Sequence, residues 1–176
     1  MPSSPKAKAQ SSYRQRLLAF AKDHYGYVTP ADARTLLIPT IELPKLAEHR
    51  GLTNLGYGIY RFDEVPVSPH GRLYEAVLRC GPGAMLADES VLEFHGLLDP
   101  LARAASGPAT VVVGTTRRVR AQLPEWIELR RSTRYQNPGP DCAGIPALAP
   151  ADAFVNISST LDPVAREMLT EGLRAL

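Results

Sequence analysis

Residues 29–62 read TPADARTLLIPTIELPKLAEHRGLTNLGYGIYRF, and the punctuation of this stretch decides the fold. Thr29 before Pro30 is a helix start: a hydroxyl that caps, then a proline at the first helical position, where its missing N–H costs nothing. Pro39 disfavours helical geometry at Ile38 and stops that helix. Ala33, Leu36 and Leu37 are expected to face the helix before it. Thr40 can cap a third helix, TIELPKLAEHRG, in which Pro44 fits the first turn and not the interior, so regular helix is expected from near Leu43. Leu43, Leu46 and Ala47 should pack inward, leaving Thr40, Lys45, Glu48, His49 and Arg50 outward. Gly51 closes the helix. Leu52 to Leu55 and Ile59 to Phe62 read as two short strands. Between them Gly56-Tyr57-Gly58 suits a hairpin tip, because glycine accepts positive φ at little cost.

Two helices on a tight turn, then a two-stranded ribbon, is the order of a winged helix-turn-helix. That shape puts one helix in the DNA major groove. Upstream, residues 1–12 have the composition of a disordered tail, in which Lys6 and Lys8 can meet DNA phosphates. A helix is expected from an N-cap at Ser12, with Leu17, Leu18, Phe20 and Ala21 as its buried stripe and Gly26 at its end. Downstream, DEVPVSP at 63–69 reads as a linker stiffened by Pro66 and Pro69.

The remainder mixes helices and strands. Gly71 to Arg79 reads as a helix with Leu73, Val77 and Leu78 inward. Another is expected from Asp88 or Ser90 through Phe94. Ala109 to Gly114 is the clearest strand, and its unbroken run of threonine and valines predicts burial on both faces. Trp126 to Arg131 alternates as a second strand. Residues 136–150 form a loop. Pro150 and Asp162-Pro163 begin two last helices, the final one burying Val164, Met168, Leu169 and Leu173. The expected organisation is a tail over 1–12, a winged helix-turn-helix over 13–65 and a mixed α/β C-terminal domain over 66–176. The chain is α+β overall.

Charge is uneven. Residues 1–65 hold nine Lys and Arg against six Asp and Glu; residues 66–176 hold eleven against twelve. All four lysines lie at or before Lys45. Cys80 and Cys142 lack the spacing of a zinc site or disulfide framework and read as free thiols. No apolar run has membrane-span length, and the N-terminus lacks an apolar signal core. A cytoplasmic protein with no membrane partner is expected.

Certain pieces recur in a fixed order: RQRLLAFA near the start, Gly51-Leu52 and Leu55, then Gly58-Ile59-Tyr60-Arg61-Phe62. Further on come Gly81-Pro82-Gly83-Ala84, Glu89-Ser90-Val91-Leu92 with His95-Gly96-Leu97, and Gly144-Ile145-Pro146-Ala147 before the final helices. In this order, over residues 13–175, the chain resembles the AbiEi-type antitoxins of type IV toxin–antitoxin systems, including the mycobacterial MenA group. The resemblance implies a winged helix-turn-helix repressor of its own operon. It also implies a C-terminal domain that neutralises a cognate nucleotidyltransferase-like toxin. Helix three departs from the usual arginine-rich pattern, carrying Glu42, Pro44, Lys45 and Glu48.

From the residues themselves, Lys45, His49 and Arg50 on helix three, with Thr40 before them and Arg61 on the wing, are the candidate DNA contacts. Tyr57 either touches a phosphate through its hydroxyl or is an exposed turn residue. Arg117, Arg118, Arg120, Arg130, Arg131 and Arg134 form a second basic cluster. Three readings stand: a second DNA surface, a surface for an acidic partner, or solvated strand ends. Asp88, Glu89 and Glu93 with His95 are the nearest approach to a nuclease site. Yet no lysine follows Lys45, and Glu89 and Glu93 at i, i+4 read as a solvated helix face. No G-x-S-x-G, H-E-x-x-H or P-loop occurs, and the four histidines are scattered. No catalytic residues, metal or cofactor are therefore expected. Operator DNA, expected as an inverted repeat, and the toxin are the expected partners. A winged-helix regulator whose second domain senses a ligand or dimerises, without a toxin, is the alternative; a DNA-binding nuclease is the third.

Overall fold

A computed structural model describes residues 5–48, 51–99 and 110–176, of which 5–11 by backbone alone. The chain is mixed α+β and divides into two compact units, through Glu75 and from Ala76.

Thr29 is the pivot of the first unit. Its backbone N–H and its hydroxyl both donate to Asp32 Oδ2, at 2.8 and 2.7 Å, and the Asp32 N–H donates back to Thr29 Oγ1 at 3.4 Å. This capping box opens α2, Pro30–Thr35, by satisfying amide groups that a helix start leaves unpaired. The helix stops sooner than Pro39 requires. Leu37 turns to φ 53, its N–H donating to the Arg34 carbonyl at 2.9 Å and that of Ile38 to the Ala33 carbonyl at 2.8 Å. This is the Schellman arrangement, with leucine where glycine is usual. Leu37, expected inward, is therefore exposed, and Ile38 is buried in its place. Arg16 donates to the Leu36 carbonyl and ties the end of α2 to the first helix.

That first helix, α1, spans Pro5–Lys22 and begins well before the expected Ser12. Proline at its first position and the helix formers Ala7, Lys8, Ala9 and Gln10 account for the extension. After α2, α3 spans Glu42–Glu48 with Pro44 in its first turn, and Leu43 and Leu46 are buried as expected. Three strands follow from the extended pieces: β1, Tyr27–Val28; β2, Leu52–Asn54; and β3, Tyr60–Phe62. They form an antiparallel sheet in the order β1-β3-β2, with Arg61 opposite both Tyr27 and Thr53. Strand alternation puts Tyr60 and Phe62 on one face. There they join Leu17, Ala21, Val28, Ala33, Ile38, Leu43 and Leu46 in one core.

The expected linker is shorter than it reads. Ser68 Oγ accepts the His70 N–H at 3.2 Å, and α4 starts directly at Pro69 and runs to Cys80. The boundary between units falls inside α4, rather than at residue 65, for a packing reason. The Tyr74 ring lies 5.5 Å from Tyr25 and 5.9 Å from Tyr27, and the Tyr27 hydroxyl donates to Glu75 at 2.9 Å.

In the second unit, β4 (Met85–Leu86), β5 (Val111–Thr115) and β6 (Ile127–Arg131) form a sheet in that order. β5 pairs antiparallel to β4 and parallel to β6. Every residue of β5 is buried, as its valine run predicts; Ala109 lies outside the described residues. Helix α5, Asp88–Phe94, and helix α6, Pro150–Ile157, pack together. Helix α7, Pro163–Arg174, is capped by Asp162, which accepts the Ala165 N–H at 2.9 Å. Of its four expected core residues, Leu169 is buried and Leu173 half-buried, but Val164 and Met168 are exposed. The helix is apolar on two sides. Gly172 sits so close to Leu97 that a Cβ there would come within 2.6 Å, which selects the Leu169–Leu173 side for burial.

Candidate nucleic-acid interface

In the first unit the candidate surface is the turn into α3 and the tip between β2 and β3. At the tip, Gly56, Tyr57 and Gly58 all have positive φ, and Asn54 Oδ1 accepts the Gly56 N–H at 2.9 Å. This tight turn holds Tyr57 outward, 66% exposed. On α3, Lys45 is exposed but its Nζ lies 2.8 Å from Glu42 Oε1. Glu42 thus neutralises Lys45, and Glu48 at the end of the helix is exposed. Thr40 is half-buried in the turn before α3. His49 and Arg50 lie outside the described residues, and Lys6 and Lys8 lie where only backbone is described.

Arg61 is engaged within its own unit. Its Nη2 donates to the Val65 carbonyl at 2.7 Å, and its guanidinium sits 5.9 Å from the centre of the Tyr27 ring. Strand register explains this: Arg61 lies beside Tyr27 across the sheet. Sequence reading passed over one exposed residue of this surface, Ile41.

In the second unit, Arg117, Arg118, Arg120, Arg131 and Arg134 are exposed. Parallel pairing gathers them. Thr115 is opposite Arg131, so the segment leaving β5 and the end of β6 emerge at the same edge. Arg130 does not belong to that exposed set. Its Nη1 donates to Asp88 Oδ2 at 2.8 Å and Glu89 Oε2 at 2.7 Å, and its Nε donates to Glu128 at 2.8 Å. Burial lowers its basicity, but the hydrogen bonds to Glu89, Asp88 and Glu128 outweigh that and raise it. Glu89 is consequently drawn onto Arg130 and is not part of a solvated helix face.

Asp88 is the centre of this cluster. It is 1% exposed and has φ 49. Besides Arg130 it accepts from the Tyr135 hydroxyl at 2.7 Å and the Asn156 amide at 2.7 Å. Burial, and then the bond to Asp88, push the Tyr135 hydroxyl above its usual range. The Tyr135 ring lies against Gly114, where a Cβ would come within 2.4 Å of it. These bonds give the buried Asp88 carboxylate its partners, and Asp88 and Glu89, two of the three carboxylates nearest a nuclease site, both bond Arg130. Among the described residues no three His, Cys, Asp or Glu side chains are grouped to hold a metal ion.

Comparison with protein-family models and with curated proteins finds no match.

One further pair has nucleophile chemistry in principle. Cys142 Sγ lies 3.8 Å from His95 Nε2. Burial, and then Asp141, push the Cys142 thiol up to about 11, so it stays protonated near neutrality and is a poor nucleophile. Among the described residues no helix is long and apolar enough to cross a membrane.

Proposed function

We propose that the chain is a winged helix-turn-helix repressor that doubles as an antitoxin. The observation that carries the DNA-binding half is the first unit's topology. An antiparallel sheet in the order β1-β3-β2 backs the α2–α3 pair, with an exposed tyrosine at the β2–β3 tip. In this reading α3 enters the major groove and the Tyr57 tip lies along the flanking backbone. Lys45, with His49 and Arg50 beyond it, supplies phosphate contacts that set affinity and register. Because Glu42 holds Lys45, each copy binds modestly, and an inverted-repeat operator recovers affinity by engaging two copies.

The antitoxin half rests on the resemblance to AbiEi-type antitoxins over residues 13–175, and its partner is a nucleotidyltransferase-like toxin. The exposed arginine edge of the second unit supports a surface for an acidic partner, since arginine pairs with carboxylates in two-point geometry. Co-expression with a nucleotidyltransferase-like protein encoded beside this gene tests it. Restored growth supports the reading. Continued toxicity leaves a DNA-binding regulator without a toxin.

A further inference from the structure

Between Ala31 and Lys45 the surface exposes two cations, Arg34 and Lys45, and Glu48 is exposed one turn further along α3. Asp32 is held in the capping box and Glu42 is folded onto Lys45. Beside Arg34 two large apolar side chains face solvent: Leu37, 85% exposed, and Ile41, 59% exposed. They bracket the turn that leads into α3. Leu37 is held there at φ 53, which costs leucine and not glycine. The two hydrogen bonds of that turn are made by backbone atoms, so the turn itself does not call for a leucine. Strain retained under an exposed side chain points to a use for that side chain.

The neighbouring charges narrow what the use is. A purely apolar partner would leave Arg34 facing no counter-charge, whereas Lys45 already has Glu42. DNA offers phosphates to the cations and, in the major groove, one apolar group, the 5-methyl of thymine. Residues 37–48 contain no Asn, Gln or Arg, and the lysine among them, Lys45, is held by Glu42, which leaves few side chains to read base edges by paired hydrogen bonds. Resting on the DNA-binding reading above, we propose that Ile41 and Leu37 read sequence by packing on thymine methyl groups. Operator choice then follows thymine positions, and the cations set affinity without choosing sequence.

Replacing thymine by uracil removes the methyl and keeps the pairing edge. The DNA upstream of the protein's own coding sequence is amplified with dTTP or with dUTP, and the full chain is titrated against each by fluorescence anisotropy. The wild-type chain should bind the thymine duplex more tightly, by about fourfold for each methyl buried. Ile41→Ala and Leu37→Gly should each weaken binding to the thymine duplex and reduce the preference for it, and the double variant should bind both duplexes alike. Circular dichroism melts verify that the variants fold. Equal wild-type binding to the two duplexes overturns the methyl readout and leaves the DNA-binding reading standing. An Ile41→Ala chain as sensitive to uracil as the wild type overturns it as well. A wild-type chain that prefers neither duplex over unrelated DNA overturns the DNA-binding reading and the methyl readout together.

Discussion

Arg130 Nη1 lies 2.8 Å from Asp88 Oδ2, joining β6 to the start of α5 through a carboxylate that is 1% exposed. A buried charge that loses its partner is costly, because desolvation is no longer offset. Arg130→Met should therefore destabilise the chain by about 3 kcal/mol, the lower end for such a break, since Tyr135 and Asn156 still bond Asp88. Urea denaturation measures this. A loss below about 1 kcal/mol would mean that the cluster is not a structural pivot.

The turn at Leu37 gives a prediction of opposite sign. Leu37→Gly removes left-handed strain and adds backbone entropy to the unfolded state. The net expectation is about 0.5–1 kcal/mol of stabilisation. A thermal melt should show a raised midpoint. A lowered midpoint would mean that the exposed leucine makes a contact worth more than the strain.

Which features were legible in the sequence follows from how local their causes are. Thr29-Pro30, the Gly56-Tyr57-Gly58 tip and the valines of β5 act through their immediate neighbours, and each forms the element expected of it. Leu37 and Ile38 exchange roles because the helix ends one turn early, and periodicity does not see a Schellman turn that lacks glycine. Val164 and Met168 lie exposed because α7 is apolar on two sides and contact with Leu97 chooses between them. The Asp88 cluster joins residues 42, 47 and 68 positions apart. No local pattern announces it, and so Arg130 read as one more surface cation.

Both cysteines should behave as buried thiols. Burial pushes Cys80 up to about 11, and burial followed by Asp141 does the same for Cys142. A thiol whose folded value is raised contributes stability that is intact below the unfolded value of 9.0 and is lost as pH rises toward 11. Denaturation midpoints should therefore fall between pH 9 and 11. Iodoacetamide at pH 8 should label the unfolded chain and leave the folded chain almost unmodified, as read by mass spectrometry. Rapid labelling of the folded chain would contradict this burial.

The arginine edge is separable from the fold. Arg118→Glu with Arg131→Glu should change stability by less than about 0.5 kcal/mol, because both side chains are exposed. We expect the double variant to keep its affinity for upstream DNA and to lose toxin neutralisation in co-expression. Loss of DNA affinity instead would assign the edge to phosphates.

In the proposed function α3 and the Tyr57 tip bind operator DNA. Its most direct test is an anisotropy titration of the full chain against the DNA upstream of its own coding sequence, across a salt series. The expected result is tighter binding than to unrelated duplex, with Lys45→Ala combined with Arg50→Ala weakening it and flattening the salt dependence by about one phosphate contact for each cation removed. No preference for the upstream DNA, or a double variant with unchanged affinity and slope, would contradict it.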